Sequence, residues 1–171
     1  MPNYDFNEIR SLGDAHKTWM YKFIISPLPG SGEVDERVLS MRNVSCELPA
    51  TGINTVSYDL GGYTFKEAGI TKQDGFTNAR FIESMNIGVR KRLDSWLEIC
   101  NERLTNKQIS KSSYQTTCEV HLTDGDGKTQ YAGTYKGFFI TNLAAVALAN
   151  KGNSVTEVNA TFSYDLWVPK N

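Results

Sequence analysis

The sequence is short of the side chains that catalysis usually draws on. Its only two histidines, His16 and His121, lie far apart, and its three cysteines are Cys46, Cys100 and Cys118. Three thiols are too few for a disulfide scaffold and show no zinc-ligand spacing, so they are expected to be buried and free. The odd count leaves an inter-subunit bridge as a minor alternative. Neither sign of charge is in excess: 18 basic and 19 acidic residues give a net charge of −1. That excludes the strongly basic footprint of a nucleic-acid clamp. No run approaches the roughly 20 apolar residues of a membrane span. The opening "MPNYDFNEIRSLGD" lacks the basic-then-apolar order of a signal peptide. The expectation is a soluble chain made in the cytoplasm, with no membrane anchoring.

Local motifs for chemistry are missing as well. There is no G-x-S-x-G elbow, P-loop or dinucleotide fingerprint, and "DLGGY" has neither the lysine nor the following helix of a phosphate cradle. In "DGDGKT", Asp124 and Asp126 are spaced like the start of a calcium loop. The later ligand positions hold Lys128, Thr129 and Tyr135, however, so the stretch reads as a hairpin turn. Cys118 and His121 are an odd number of residues apart, which puts them on opposite faces of a strand and disfavours a nucleophile–base pair. The sequons at Asn43 and Asn159 are expected by chance. No catalytic, cofactor-binding or metal-binding residue is expected, and an enzyme is not.

What the chain does have is strand-forming sequence. At 171 residues and 40% hydrophobic content it is long enough for one domain that buries roughly 70% of its unfolded surface. "TWMYKFIIS" from Thr18 reads as a strand stopped by Pro27, "PGSGEVDER" as a polar loop, and "RVLSMRNVSCEL" as a second strand running into Pro49. "FTNARFIES" alternates, with apolar residues on both faces. In "NIGVRKRLDSWLEICNERL" the period changes: Val89, Leu93, Trp96, Leu97, Cys100 and Leu104 recur at three- and four-residue steps. This is an amphipathic helix, capped by Ser84 or Asn86, with Arg90 and Asp94 as an i,i+4 pair. "SSYQTTCEVHL" and "TQYAGTYKGFFI" are expected to pair through the "TDGDGK" hairpin. "NLAAVALANKG" reads as a short helix capped by Asn142, or alternatively a short apolar strand. The last strand, "SVTEVNATFSYDLWV", places Phe162, Tyr164 and Leu166 on one apolar side; core packing is preferred over a stacking platform for bases or sugars. Strands, one helix, then strands argue for an α+β or sheet-on-sheet fold.

One stretch does not fit a private core. "SYDLGGYTFKEAGITK" forms two strand-like pieces around Gly61 and Gly62, and neither has enough apolar side chains to bury a face inside one domain. Two-stranded hairpins are marginal alone in water, whereas pairing with another chain would satisfy the backbone. The ribbon, about residues 54–70, is therefore expected to be an assembly device. Its contacts would be made by Asn54 and by Ser57, Tyr58, Asp59, Leu60, Gly61, Gly62, Tyr63, Thr64, Phe65 and Lys66.

The run "KGFFITNLAAVALANKGNSVTEVNATFSYDLW" resembles the C-terminal pattern of contractile-tail bacteriophage tail tube proteins. "CELPATGINTVSYDLGGYTFKEAGITKQDGFTNARFIE", followed by the helix of Trp96, resembles that family's Leu-Pro turn, long ribbon and glycine-bearing turn. The resemblance covers about residues 18–168. It implies an α+β, mainly β fold: two packed antiparallel β-sheets, a barrel-like sandwich, flanked by one amphipathic helix. It also implies a single domain over residues 1–171, with segment 1–17 and ribbon 54–70 as assembly arms. Hexameric rings would stack into a hollow tube inside a contractile sheath, in a virion tail assembled in the host cytoplasm. The partners implied are sister subunits, the tail sheath protein, a tape measure protein in the lumen, and DNA in transit without specific binding. A conduit must not grip its cargo, so the inner wall is expected to carry more Asp and Glu than Lys and Arg. The acidic "GSGEVDER" departs from the family pattern. Alternatives of the same architecture are a type VI secretion ring protein and a baseplate tube initiator. A monomeric β-sandwich binding module is the alternative from another class.

Overall fold

The structure, a computed structural model, describes residues 15–30, 33–146 and 155–170. In chain order its elements are β1 (Tyr21–Ser26), α1 (Glu33–Arg42), β2 (Asn43–Cys46), β3 (Thr51–Leu60), β4 (Tyr63–Gln73) and β5 (Phe76–Ile82). These are followed by α2 (Gly88–Cys100), β6 (Asn101–Glu102), β7 (Lys107–Gln108), α3 (Lys111–Tyr114), β8 (Thr116–Thr123), β9 (Thr129–Leu143), β10 (Glu157–Ser163) and β11 (Leu166–Lys170).

Two antiparallel sheets share one strand. The first has the order β1-β8-β9-β11 and the second β9-β10-β5-β2. Strand β9 pairs with β11 through Ala132–Lys136, then with β10 through Phe139–Leu143. It changes sheets at Gly137, where φ is 66° and an added Cβ would lie 2.1 Å from an Asp165 carboxylate oxygen. Only glycine fits both constraints.

The inner faces close on each other. Phe23, Ile25, Val120 and Tyr135 from the first sheet face Phe81, Val158 and Phe162 from the second, all nearly inaccessible. Phe23 meets Phe81 at a centroid distance of 6.2 Å, and Phe138 stacks on Phe162 at 4.7 Å. Helix α2 buries Val89, Leu93 and Trp96, the stripe its period predicts. Trp96 lies 5.8 Å from Phe162, and its ring N–H donates to the Tyr114 carbonyl at 2.8 Å. The fold is therefore mainly β, with two packed antiparallel sheets and a flanking amphipathic helix, as the resemblance implied.

Several local expectations need correction. The loop and strand read across residues 29–48 are instead helix α1 followed by the short strand β2. Leu39 and Met41 would share a face in a strand; in the helix they diverge, so Leu39 is buried and Met41 is 71% exposed. Helix α2 stops at Cys100, leaving Leu104 exposed. Its main cap is Glu83, whose carboxylate accepts from the N–H groups of Val89 and Arg90, while Ser84 Oγ accepts from Gly88. Asp94 pairs with Arg103, and the Arg90 guanidinium donates to the Ala144 carbonyl. Residues 111–114 form a helical turn instead of the start of a strand. Asn142 and Leu143, read as a helix start, end strand β9; residues 147–152 of that expected helix lie outside the described residues. The final strand breaks at Asp165, which reverses its phase. Trp167 turns into the core and Leu166 is exposed.

Candidate assembly surface

Strands β3 and β4 form a sheet of their own. The register pairs Leu60 with Tyr63, Tyr58 with Phe65, Val56 with Glu67, Asp59 with Thr64, and Ser57 with Lys66. Gly61 and Gly62 make the two-residue turn with φ of 59° and 86°, the positive-φ pair that a tight hairpin of this twist requires. A bulge between Ile53 and Thr55 leaves Asn54 opposite the stretch around Gly69. The root of the ribbon is fixed to the body: the Gln73 side chain accepts from the Trp167 N–H at 2.9 Å and donates to its carbonyl at 3.3 Å.

Pairing produces what neither strand has alone. Side chains alternate across a strand, so Val56, Tyr58, Leu60, Tyr63 and Phe65 gather on one face, while Ser57, Asp59, Thr64 and Lys66 gather on the other. Tyr58 and Phe65 stack at 5.7 Å, and Tyr63 and Leu60 stay 74% and 67% exposed. The reading that the ribbon lacks an apolar face holds for each piece and fails for the pair. Around the ring stack, the Tyr58 hydroxyl donates to Glu67 at 2.7 Å, and that bond raises the phenol's pKa. On the polar face, Thr64 Oγ1 donates to Asp59 at 2.6 Å. The ten residues of β3 are all exposed. All the ribbon residues expected at an interface are thus brought together on one hairpin that buries almost nothing against its own body.

The outward faces of the two sheets differ in charge. On the first, Lys22, His121 and Lys170 lie in one row across the strands with Ala132 between them, and Lys136 lies opposite Leu166. Glu119 is the acid there; hydrogen bonds from Lys170 at 2.5 Å and from His121 at 3.0 Å lower its pKa. On the second, Asn78 accepts from Thr161 and donates to Glu47, Thr141 donates to the Thr161 carbonyl, and Arg80 is paired with Glu157 at 3.2 Å.

The remaining candidate groups lie away from the ribbon. Cys118 is fully buried, and Cys46 and Cys100 are half-buried free thiols whose pKa values burial pushes up to about 12 and about 11. His121 and Cys118 do lie on opposite faces. Asp124 accepts from the N–H groups of Asp126 and Lys128, closing the hairpin. Segment 1–17 lies almost wholly outside the described residues. Among the described residues no cluster of three potential metal ligands occurs and no helix is long and apolar enough to cross a membrane.

The family described as phage tail tube protein matches residues 11–170. Among curated proteins no sequence matches the chain. Its fold is similar to the sheath/tube terminator of an extracellular contractile injection system, PVC, in the extended state, with a TM-score of 0.67 and 13% identity over 94% of this chain and 99% of that one. The PVC sheath-tube complex gives 0.63 and 13% over 98% and 99%. The tube-terminating cap of the anti-feeding prophage gives 0.63 and 13% over 92% of each chain. At such identity these similarities establish the fold.

Proposed function

The chain belongs to the phage tail tube protein family, and from that premise we propose that its copies close into hexameric rings stacked as the conduit of a contractile virion tail. The observation that carries this reading is the ribbon: an apolar hairpin face held out from a body that does not cover it, on a chain whose family builds tubes. Isolated, such a face is an aggregation liability; closed against sister copies, it is an interface. The single domain with ribbon 54–70 and segment 1–17 as arms, the sheath as outer partner, a tape measure in the lumen and assembly in the host cytoplasm belong to the same proposal. Negative-stain electron microscopy of the purified protein tests it. Rings or tubes are expected; uniformly small particles at every concentration, with or without a baseplate, would refute it.

The outward face of the second sheet is assigned to the lumen. It shows two carboxylates, Glu47 and Glu157, to one guanidinium, Arg80, with Asn78 and Thr161 hydrogen-bonded between them and Phe76 exposed at one end. The first sheet shows Lys22, Lys136 and Lys170 to one carboxylate, Glu119, which is paired with Lys170. Each phosphate neutralised by a lysine adds affinity and salt dependence, so a wall of such lysines repeated around every ring would hold DNA back. Phage carrying Asn78→Lys and Thr161→Lys should build normal tails yet release DNA more slowly, with the delay relieved by salt. Unchanged release from intact tails would count against this face.

A further inference from the structure

Strand β11 is an edge of the first sheet, paired with β9 alone. In an antiparallel pair alternate residues turn their N–H and C=O groups away from the partner strand. The Gln73 bonds show that Trp167 is one of these in β11, and the alternation makes Pro169 the other. Proline has no N–H to offer. Within Leu166–Lys170, Trp167 alone therefore presents a donor and an acceptor side by side on the free edge. An incoming strand would find one place to pair and, next to it, a position without a donor, one of the ways in which edges are kept from extending.

Gln73 fills that place. Its half-buried side chain makes the two bonds that a residue of an added strand would make, accepting from the Trp167 N–H at 2.9 Å and donating to the Trp167 carbonyl at 3.3 Å. A planar amide carries donor and acceptor apart, as a backbone peptide does, whereas a carboxylate has no donor and a hydroxyl must serve both roles with one atom. Trp167 is a rigid post for this clamp. Its ring is 5% exposed, lies 4.4 Å from that of Tyr135 and covers Gly133, where a Cβ would run into it. Among the described residues no other hydrogen bond joins residues 51–73 to the body, since β3 and β4 pair only with each other.

We infer that Gln73 is a positioning residue for assembly: as a surrogate strand on the β11 edge, it sets the direction in which the ribbon is held out to a neighbouring copy. The magnitudes make one clamp at the root decisive. The ten residues of β3 rise about 3.3 Å each and give a reach of about 30 Å, so a swing of about 10° at Gln73 moves the tip by about 5 Å, a whole strand spacing. A ribbon loose by that much would meet a neighbour out of register, and ordering it would be charged to every contact it makes. The inference rests on the tube reading above and names the residue that prepares the ribbon for it.

Two variants of the full chain test it: Gln73→Ala, and Gln73→Glu, which keeps the size and the acceptor and removes the donor. In unassembled Gln73→Ala the Trp167 N–H should exchange about five- to tenfold faster, as for one hydrogen bond lost. Residual dipolar couplings should show that the ribbon amides no longer share the alignment of the body, with the melting midpoint within about 4 °C of the parent. Tube yield should fall at least about tenfold, because a ribbon that is not held in its bound direction must be ordered at each contact. Gln73→Glu should show the same changes to a smaller extent. Ribbon couplings unchanged in Gln73→Ala overturn the inference, and so do normal tubes from a variant whose ribbon has come loose. Loss of cooperative melting in both variants would make Gln73 a prop of the body and overturns it as well. If the parent protein forms no tube, the conduit reading falls alone, and the couplings still decide whether Gln73 sets the ribbon's direction.

Discussion

The body and the ribbon are built of the same kind of sequence and reach opposite ends. Both contain aromatic side chains on paired antiparallel strands. In the body, Phe138 stacks on Phe162 at zero exposure; on the ribbon, Tyr58 stacks on Phe65 with both rings about 45% exposed. The body satisfies its hydrophobic faces against each other and is expected to stand alone. The ribbon makes a face of equal chemistry and leaves it bare. Where a chain places its apolar residues thus says less about its function than whether it covers them.

Three perturbations would sharpen or break that contrast. The largest loss of stability is expected from Trp96→Ala, which empties the site against the stacked Phe138 and Phe162. Urea unfolding should show about 3–5 kcal/mol, the range for truncating a buried aromatic; a loss below about 1 kcal/mol would mean that the body is not the self-sufficient half. Next comes Glu83→Ala, which removes the cap of α2 and should cost about 1–2 kcal/mol. Burial alone would raise the Glu83 carboxyl, but hydrogen bonds from Ser84, Arg90 and Val89 outweigh it and hold its pKa below the ordinary 4.5. A depressed carboxyl pKa contributes stability that is complete above the unfolded value and is lost as pH falls through the folded one. Acid unfolding followed by circular dichroism should therefore steepen below about pH 4.5, and the Glu83→Gln protein should lose part of that steepness. The smallest effect on the isolated chain is expected from Tyr58→Ser with Phe65→Ser: within about 0.5 kcal/mol of the parent, as for surface changes, yet with tube formation abolished. Ribbon amides should exchange rapidly before assembly and slowly afterwards. A large destabilisation of the unassembled double variant would show that the ribbon belongs to the body after all.

The sequence carried the helix α2 and most strands because their periods were clean: Val89, Leu93 and Trp96 could lie on one stripe only as a helix. It misread residues 37–42 because over a short window Leu39 and Met41 satisfy a two-residue period as well as any helical one, and a helix with no continuous apolar stripe leaves no periodic mark. The broken final strand was hidden for a different reason. Asp165 is a single ordinary residue, and the phase reversal it introduces depends on Gly137 of β9, far away in the chain. At the ribbon, composition showed that each half was too poor to bury a face. That the halves combine into a five-residue apolar surface followed only from the register across Gly61 and Gly62.

The passage of β9 from one sheet to the other has a mechanical result. In most sandwiches the layers can slip, because only side-chain contacts resist shear between them. Here a thrust applied to either layer is carried into its companion by covalent backbone, and slippage would require unzipping one strand from three neighbours, β8, β10 and β11. A wall assembled from such units would yield last within each unit and first at the joints between them.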